Sequence, residues 1–165
     1  LSGLRAPRLR AVLVAAAAAL AVAVIGGTIT DLGPWYHSLA KPSWQPPDAA
    51  FGVIWTVIFA LAAASGAIGW RAAKSPAARE WMIGLFALNG FLNVFWSLLF
   101  FRLRRPDWAM VEVTSLWLSV AILIVFFRRV SPLSAWLLAP YLLWITIAAA
   151  LNFEVVRLNP SFAPS

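Results

Sequence analysis

The chain has 165 residues, 62% hydrophobic and 12% charged, with a mean hydropathy of +0.84. A soluble domain is about half apolar and about one quarter charged, so this is the composition of a membrane protein, of a size for one domain. The net charge of +7 does not point to nucleic acid, because the basic residues stand in short clusters between apolar runs, as in loops that touch lipid headgroups; the lack of cysteine excludes disulfides, thiolate metal sites and a Cys nucleophile.

In chain order, residues 1–10 read as a basic tail carrying Arg5, Arg8 and Arg10. Residues 11–30 carry no charge and are long enough to cross a bilayer core of roughly 30 Å as a helix, which needs about 20 apolar residues. Three Arg before an Ala-rich stretch that ends in small residues also describe a signal peptide, and the pattern alone leaves both readings open. Residues 31–48 form the one long connection. It is rich in aromatics and in proline, and Pro42, Pro46 and Pro47 each fix φ and remove a backbone donor, so neither helix nor strand is expected to run through it. Four further helices are expected at about residues 49–70, 81–101, 108–127 and 132–156, with residues 160–165 as a tail. Helices are required because lipid offers no partner for backbone polar groups. The later connections are short, which predicts antiparallel neighbours in an all-α, up-and-down bundle of five transmembrane helices, with the long loop between the first two as a cap. Lys and Arg number eight on the side of the N-terminus and five on the other, which favours a cytoplasmic N-terminus.

Polar residues at membrane depth face the bundle interior or a cavity. Asn89, Asn93 and Trp96 share one face of the third run, with Ser97 beside them and Phe100 extending it. Tyr141, Trp144, Ala148 and Asn152 repeat along the fifth, and Trp55, Phe59, Ala62 and Gly66 along the second. Each stripe alone reads as helix packing, with amides bonding between helices. Three together, beside a Trp-rich loop, fit a pocket for a flat, apolar ligand with polar edges. His37 is the sole histidine and has no carboxylate cluster, so no metal site is expected, and Lys41 reads as a headgroup contact or a carboxylate partner. Glu112 lies near the start of its helix, where the dipole suits a carboxylate. No phosphate-binding glycine loop, zinc motif or catalytic triad is visible.

The sequence Trp35-Tyr36-x-x-Leu39-x-Lys41-Pro42-x-Trp44-x-Pro46-Pro47, then Trp55-Thr56, Asn93-x-x-Trp96-Ser97-x-x-Phe100-Phe101, Pro140-Tyr141-Leu142-x-Trp144 and Ala148-x-x-Leu151-Asn152, resembles the tryptophan-rich sensory proteins. These are bacterial relatives of the mitochondrial translocator protein, or peripheral benzodiazepine receptor. The resemblance implies a multi-pass protein of a bacterial inner or outer membrane, often a homodimer, whose five helices hold a pocket closed by the first loop. It also favours keeping the first run as a helix. Family ligands include protoporphyrin IX and other porphyrins, benzodiazepine- and isoquinoline-type compounds and, in animals, cholesterol. The positions that match the family's pocket are Tyr36, Pro46, Trp55, Asn89, Asn93, Trp96, Ser97, Trp144, Ala148 and Leu151; Tyr141 joins them from its stripe, and Trp35, His37, Lys41, Pro42, Trp44 and Pro47 complete the lid. Trp55 and Trp144 match the pair tied to light-driven porphyrin breakdown in some relatives. Phe59 stands where many members have Tyr, Leu98 replaces a frequent Pro so that a kink is expected to be absent, and the sterol-type pattern has Phe153 in place of Tyr.

These readings imply a membrane receptor or carrier for tetrapyrroles and similar flat ligands. The porphyrin would be the ligand, and no cofactor is required. The alternatives are a photo-oxidative porphyrin degrader using Trp55 and Trp144, and a membrane interaction partner or regulator without turnover. No acid-base catalytic residue is expected.

Overall fold

The computed structural model describes residues 5–162. Six α-helices follow in order: α1 (Arg5–Ile29), α2 (Pro34–Ser38), α3 (Asp48–Ala72), α4 (Pro76–Ser97), α5 (Pro106–Val130) and α6 (Pro132–Leu158). Five of them are long and apolar enough to cross a membrane, and there is no strand among the described residues. The protein is therefore an all-helical, multi-pass integral membrane protein.

The helices overrun the uncharged segments, because charge marks the membrane edge and not the end of a helix. α1 begins at Arg5, inside the stretch read as a tail; Pro7 falls in its first turn, where a missing N–H costs nothing, and Leu, Arg and Ala favour helix. Residues 1–4 and 163–165 of the expected tails lie outside the described residues, and Pro160–Phe162 form a single 3₁₀ turn. α4 starts at Pro76, five residues before the expected boundary. Ser75 caps it, its Oγ accepting from the Ala78 amide at 3.2 Å, and Pro76 occupies the position most tolerant of proline. α5 and α6 are separated by Ser131 alone, whose amide donates to the Phe127 carbonyl at 2.7 Å while its Oγ accepts from the Ser134 amide at 3.4 Å.

Around the bundle the order is α1, α3, α6, α5, α4 and back to α1. The expectation that short connections make packed neighbours holds for α4–α5 and α5–α6 and fails for α3–α4. Those two are joined by only Ala73–Ser75 yet barely touch, with α1 seated against both. The expected loop is also not free of helix. Pro34 opens the short α2, and all three prolines that exclude regular structure come after it. Beyond Leu98 the end of α4 widens into a π-type turn, Leu98–Arg102, closed by Leu103 N–H to the Leu98 carbonyl at 2.9 Å and by Arg104 at φ 54°. The helix thus loosens where the loss of a proline predicted no kink, by a route that needs none.

Candidate functional site

Three of the predicted stripes meet inside the ring. The Trp55 ring of α3 lies 5.3 Å from Phe59, 6.2 Å from Tyr141 and 6.3 Å from Trp144, the last two edge-on, and Phe51 meets Trp144 at 5.7 Å. Nearer the loop, Trp96 stacks on Phe100 at 5.3 Å. Trp96 packs against both apolar clusters of the bundle, the central one and the smaller one beneath the loop. Ser97, Ala148 and Leu151 are buried.

The amides are committed to neighbouring helices. Asn93 Nδ2 donates to Tyr141 Oη at 3.2 Å; Tyr141 Oη donates to Asn89 Oδ1 at 3.1 Å; Asn89 Nδ2 donates to Ser119 Oγ at 2.8 Å; and Ser119 Oγ donates to the Leu116 carbonyl at 2.7 Å. The ladder runs in one direction, with one N–H of each amide in it, and it ties α4, α6 and α5 together. The packing reading of Asn89 and Asn93 therefore accounts for their hydrogen bonds. Ser119 was not singled out from the sequence; its signal was its place seven residues after Glu112, on the face that also carries Leu116 and Leu123.

Other buried polar atoms have no partner among the described residues: the indole N–H groups of Trp96 and Trp144, both carboxyl oxygens of Glu112, Asn152 Oδ1 and Ser134 Oγ. Asn152 uses its Nδ2 on the Pro106 carbonyl at 3.0 Å.

The loop is ordered and packs on one end of the bundle. Tyr36 is buried, and its hydroxyl donates to Asp48 Oδ1 at 3.2 Å and accepts from Gln45 Nε2 at 3.1 Å. Burial, then the Asp48 charge, push its phenol up to about 12, so it remains a donor at ordinary pH. The neutral phenol is the bonded form. The stability it lends is complete below 10.0 and is lost as pH rises through about 12. Lys41 Nζ sits 4.0 Å over the Tyr36 ring, and Trp35 stands edge-on to Phe100 at 6.2 Å with the Arg104 guanidinium 5.7 Å from its ring. A second latch joins the lid to the end of α6: the Ala40 amide donates to Asn159 Oδ1 at 3.0 Å, and Asn159 Nδ2 donates to the Ala40 carbonyl at 2.9 Å. Of the remaining lid residues Pro42 is buried and Pro46 half-buried, whereas His37, Trp44 and Pro47 face outward. Tyr36 thus holds the loop in place, and His37 and Trp44 are exposed. No cluster of three metal-ligating side chains occurs among the described residues.

Two clefts of about 600 and 420 Å³ lie outside the ring. One is bounded by Ile68, Arg71, Ala72 and Leu133, the other runs between α4 and α5 from Trp81 to Arg129, and none of the predicted site residues lines either. The interior between the stripes is occupied by the aromatic side chains themselves, with Trp55 and Trp96 only half-buried.

A five-helix membrane bundle with an aromatic interior, roofed by a latched proline-rich loop, is the class of protein these features define. Residues 12–158 match the model of the TspO/MBR family. The chain is 39% identical over 150 residues to the tryptophan-rich protein TspO of Chlorobaculum tepidum, covering 86% of this chain and 90% of that one. It is 38% identical over 146 residues to protein CrtK of Rhodobacter capsulatus, covering 88% and 91%. It is 32% identical over 126 residues to the human translocator protein, covering 76% and 75%. The chain belongs to the TspO/MBR family.

Proposed function

We propose that this protein is a membrane receptor or carrier that takes tetrapyrroles and related flat apolar ligands into the lid-side half of its bundle. The observation that carries this reading is the edge-on cluster of Trp55, Tyr141 and Trp144, continued towards the lid by Trp96 and Phe100. Rings in that arrangement offer broad apolar faces to a planar guest, and the lid covers the end at which they collect. In this reading a ligand enters by parting the stripes, and Ala148 and Leu151 supply smooth wall on α6. Sensing or transport then follows from occupancy and lid position. Homodimer formation, as the family resemblance implies, belongs to the same reading.

A second reading is favoured by one contact. Trp55 and Trp144 lie 6.3 Å apart inside the bundle, so a porphyrin held between the stripes would have two oxidisable rings beside it. Photo-oxidative breakdown would need light and oxygen and no acid-base group from the protein.

The test is a titration of the purified protein with protoporphyrin IX in the dark, followed by tryptophan fluorescence, and then illumination. Saturable quenching without loss of pigment is the expected result for a receptor. Light-dependent loss that Trp55→Phe or Trp144→Phe abolishes would favour the degrader. Absence of saturable quenching removes both readings and leaves an interaction partner or regulator whose stripes serve packing.

A further inference from the structure

Glu112 is the one acidic or basic side chain buried in the membrane-spanning interior among the described residues, 7% exposed and with neither carboxyl oxygen bonded. It is the seventh residue of α5. The helix dipole acts within the first turn, so the N-terminal position does not account for this carboxyl. The first-turn acid is Asp107, and it is paired with Arg105 at 2.5 Å.

No cation among the described side chains bonds Glu112. Arg105 also lies 4.1 Å over the Trp108 ring, Arg157 is paired with Glu154, Lys41 rests on Tyr36, Arg104 on Trp35, and Arg102 is exposed. Nor does the amide ladder reach it: its bonds run from Asn93 through Tyr141 and Asn89 to Ser119 and the Leu116 carbonyl, and none ends on Glu112. An isolated carboxylate is among the costliest groups to bury, and in a membrane helix such a group marks a functional site whose partner has to be named. A ligand that carries a cation would supply such a partner.

We propose that Glu112 recognises a protonated nitrogen on a flat aromatic ligand, so that the lid-side site accepts aromatic amines as cations as well as uncharged ring systems. Glu112 forms the ion pair, the apolar walls of α4 and α6 hold the rings, and the unpartnered Asn152 Oδ1 is a second acceptor on the lid side. This rests on the reading of the lid-side half as a ligand site.

The experiment compares two probes of one outline, 9-aminoacridine, a flat monocation at neutral pH, and anthracene, its uncharged counterpart. Both are titrated into the full chain in neutral detergent by tryptophan quenching, with protoporphyrin IX in parallel. The native protein is expected to bind 9-aminoacridine at least tenfold more tightly than anthracene. Glu112→Gln is expected to erase that preference while anthracene and protoporphyrin IX bind no more weakly. Equal affinity of the native protein for the two probes overturns the proposal, and so does a preference that survives in Glu112→Gln. If Glu112→Gln does not fold, Glu112→Asp decides: a retained preference for the cation supports the proposal, and an equal loss of both probes overturns it. Cation binding without saturable protoporphyrin IX quenching would defeat the tetrapyrrole reading and leave this one standing.

Discussion

At the end of the bundle away from the lid, Phe127 is wholly buried beside Leu123 and Leu138, and its ring occupies the space a side chain at Gly69 of α3 would need. Ser65 Oγ donates to the Ser134 carbonyl at 2.9 Å, tying α3 to α6 at that end. Towards the lid the interior is aromatic, Trp55 and Trp96 are only half-buried, and four of the five residues with an unpartnered buried polar atom lie on that side, Ser134 being the exception. Protein interiors are dense where stability is the only demand, and unsatisfied polar groups persist where another component completes them. On the proposed reading, the contrast separates a half that holds the helices together from a half that receives the ligand.

Breaking the closed half should therefore cost stability first. Phe127→Ala removes a fully buried ring that α3 and α4 both pack against, and a loss of about 3–5 kcal/mol is expected, as for other buried Phe. It would be read as a fall in the thermal transition of the detergent-solubilised protein. An unchanged transition would show that this end is not the anchor. Gly69→Ala acts on the same contact from the other side. Its Cβ would overlap the Phe127 ring and come within 3.2 Å of Met82 Cε, so overpacking of about 1–3 kcal/mol is expected. The double variant Gly69→Ala/Phe127→Leu should recover part of that loss, because the shorter side chain vacates the contested space.

How much of this was legible follows from what each residue type can signal alone. The five spans could be read because uncharged runs of about 20 residues are what a bilayer core demands and are rare elsewhere. Their ends could not be read from charge, as Ser75–Pro76 and Arg5 show: a cap and a tolerated proline decide where α4 starts, whatever Arg79 and Glu80 carry. The stripes were visible from spacing, but spacing does not reveal whether an amide faces a ligand or a neighbouring helix. Ser119 settled that for Asn89, and the Asn89–Tyr141 bond joins residues 52 positions apart. The latch between Ala40 and Asn159 spans 119 positions and has no local signature. The aromatic loop was recognisable because prolines and Trp leave few alternatives, whereas the direction each side chain takes in it was not.

The ladder sits between the two halves and sharpens the comparison. Tyr141→Phe deletes the hydroxyl that links Asn89 to Asn93 and leaves both amides short of a partner. Interhelical hydrogen bonds in membranes average roughly 0.6 kcal/mol and reach about 1.7, and the upper part of that range is expected here because two bonds are lost. If the ladder is a tie and not a ligand contact, protoporphyrin IX affinity should change by less than the stability does. A large loss of affinity with little loss of stability would return Asn89 and Asn93 to the ligand site.

The smallest effect on stability is expected at the lid, and there kinetics is the more informative measurement. Asn159→Ala removes both bonds to Ala40 while the latch of Tyr36 on Asp48 remains, and the groups it frees lie at an exposed edge where water can replace them. The thermal transition should hardly move. If the loop is a gate over the aromatic half, ligand should both enter and leave faster, with affinity nearly constant, because a lid that opens more often shortens the path in each direction without altering the walls. Stopped-flow quenching with protoporphyrin IX measures the two rates. Rates equal to those of the native protein would mean that ligand reaches the stripes between helices, directly from the membrane. The half-exposed faces of Trp55 and Trp96 would then mark the entrance.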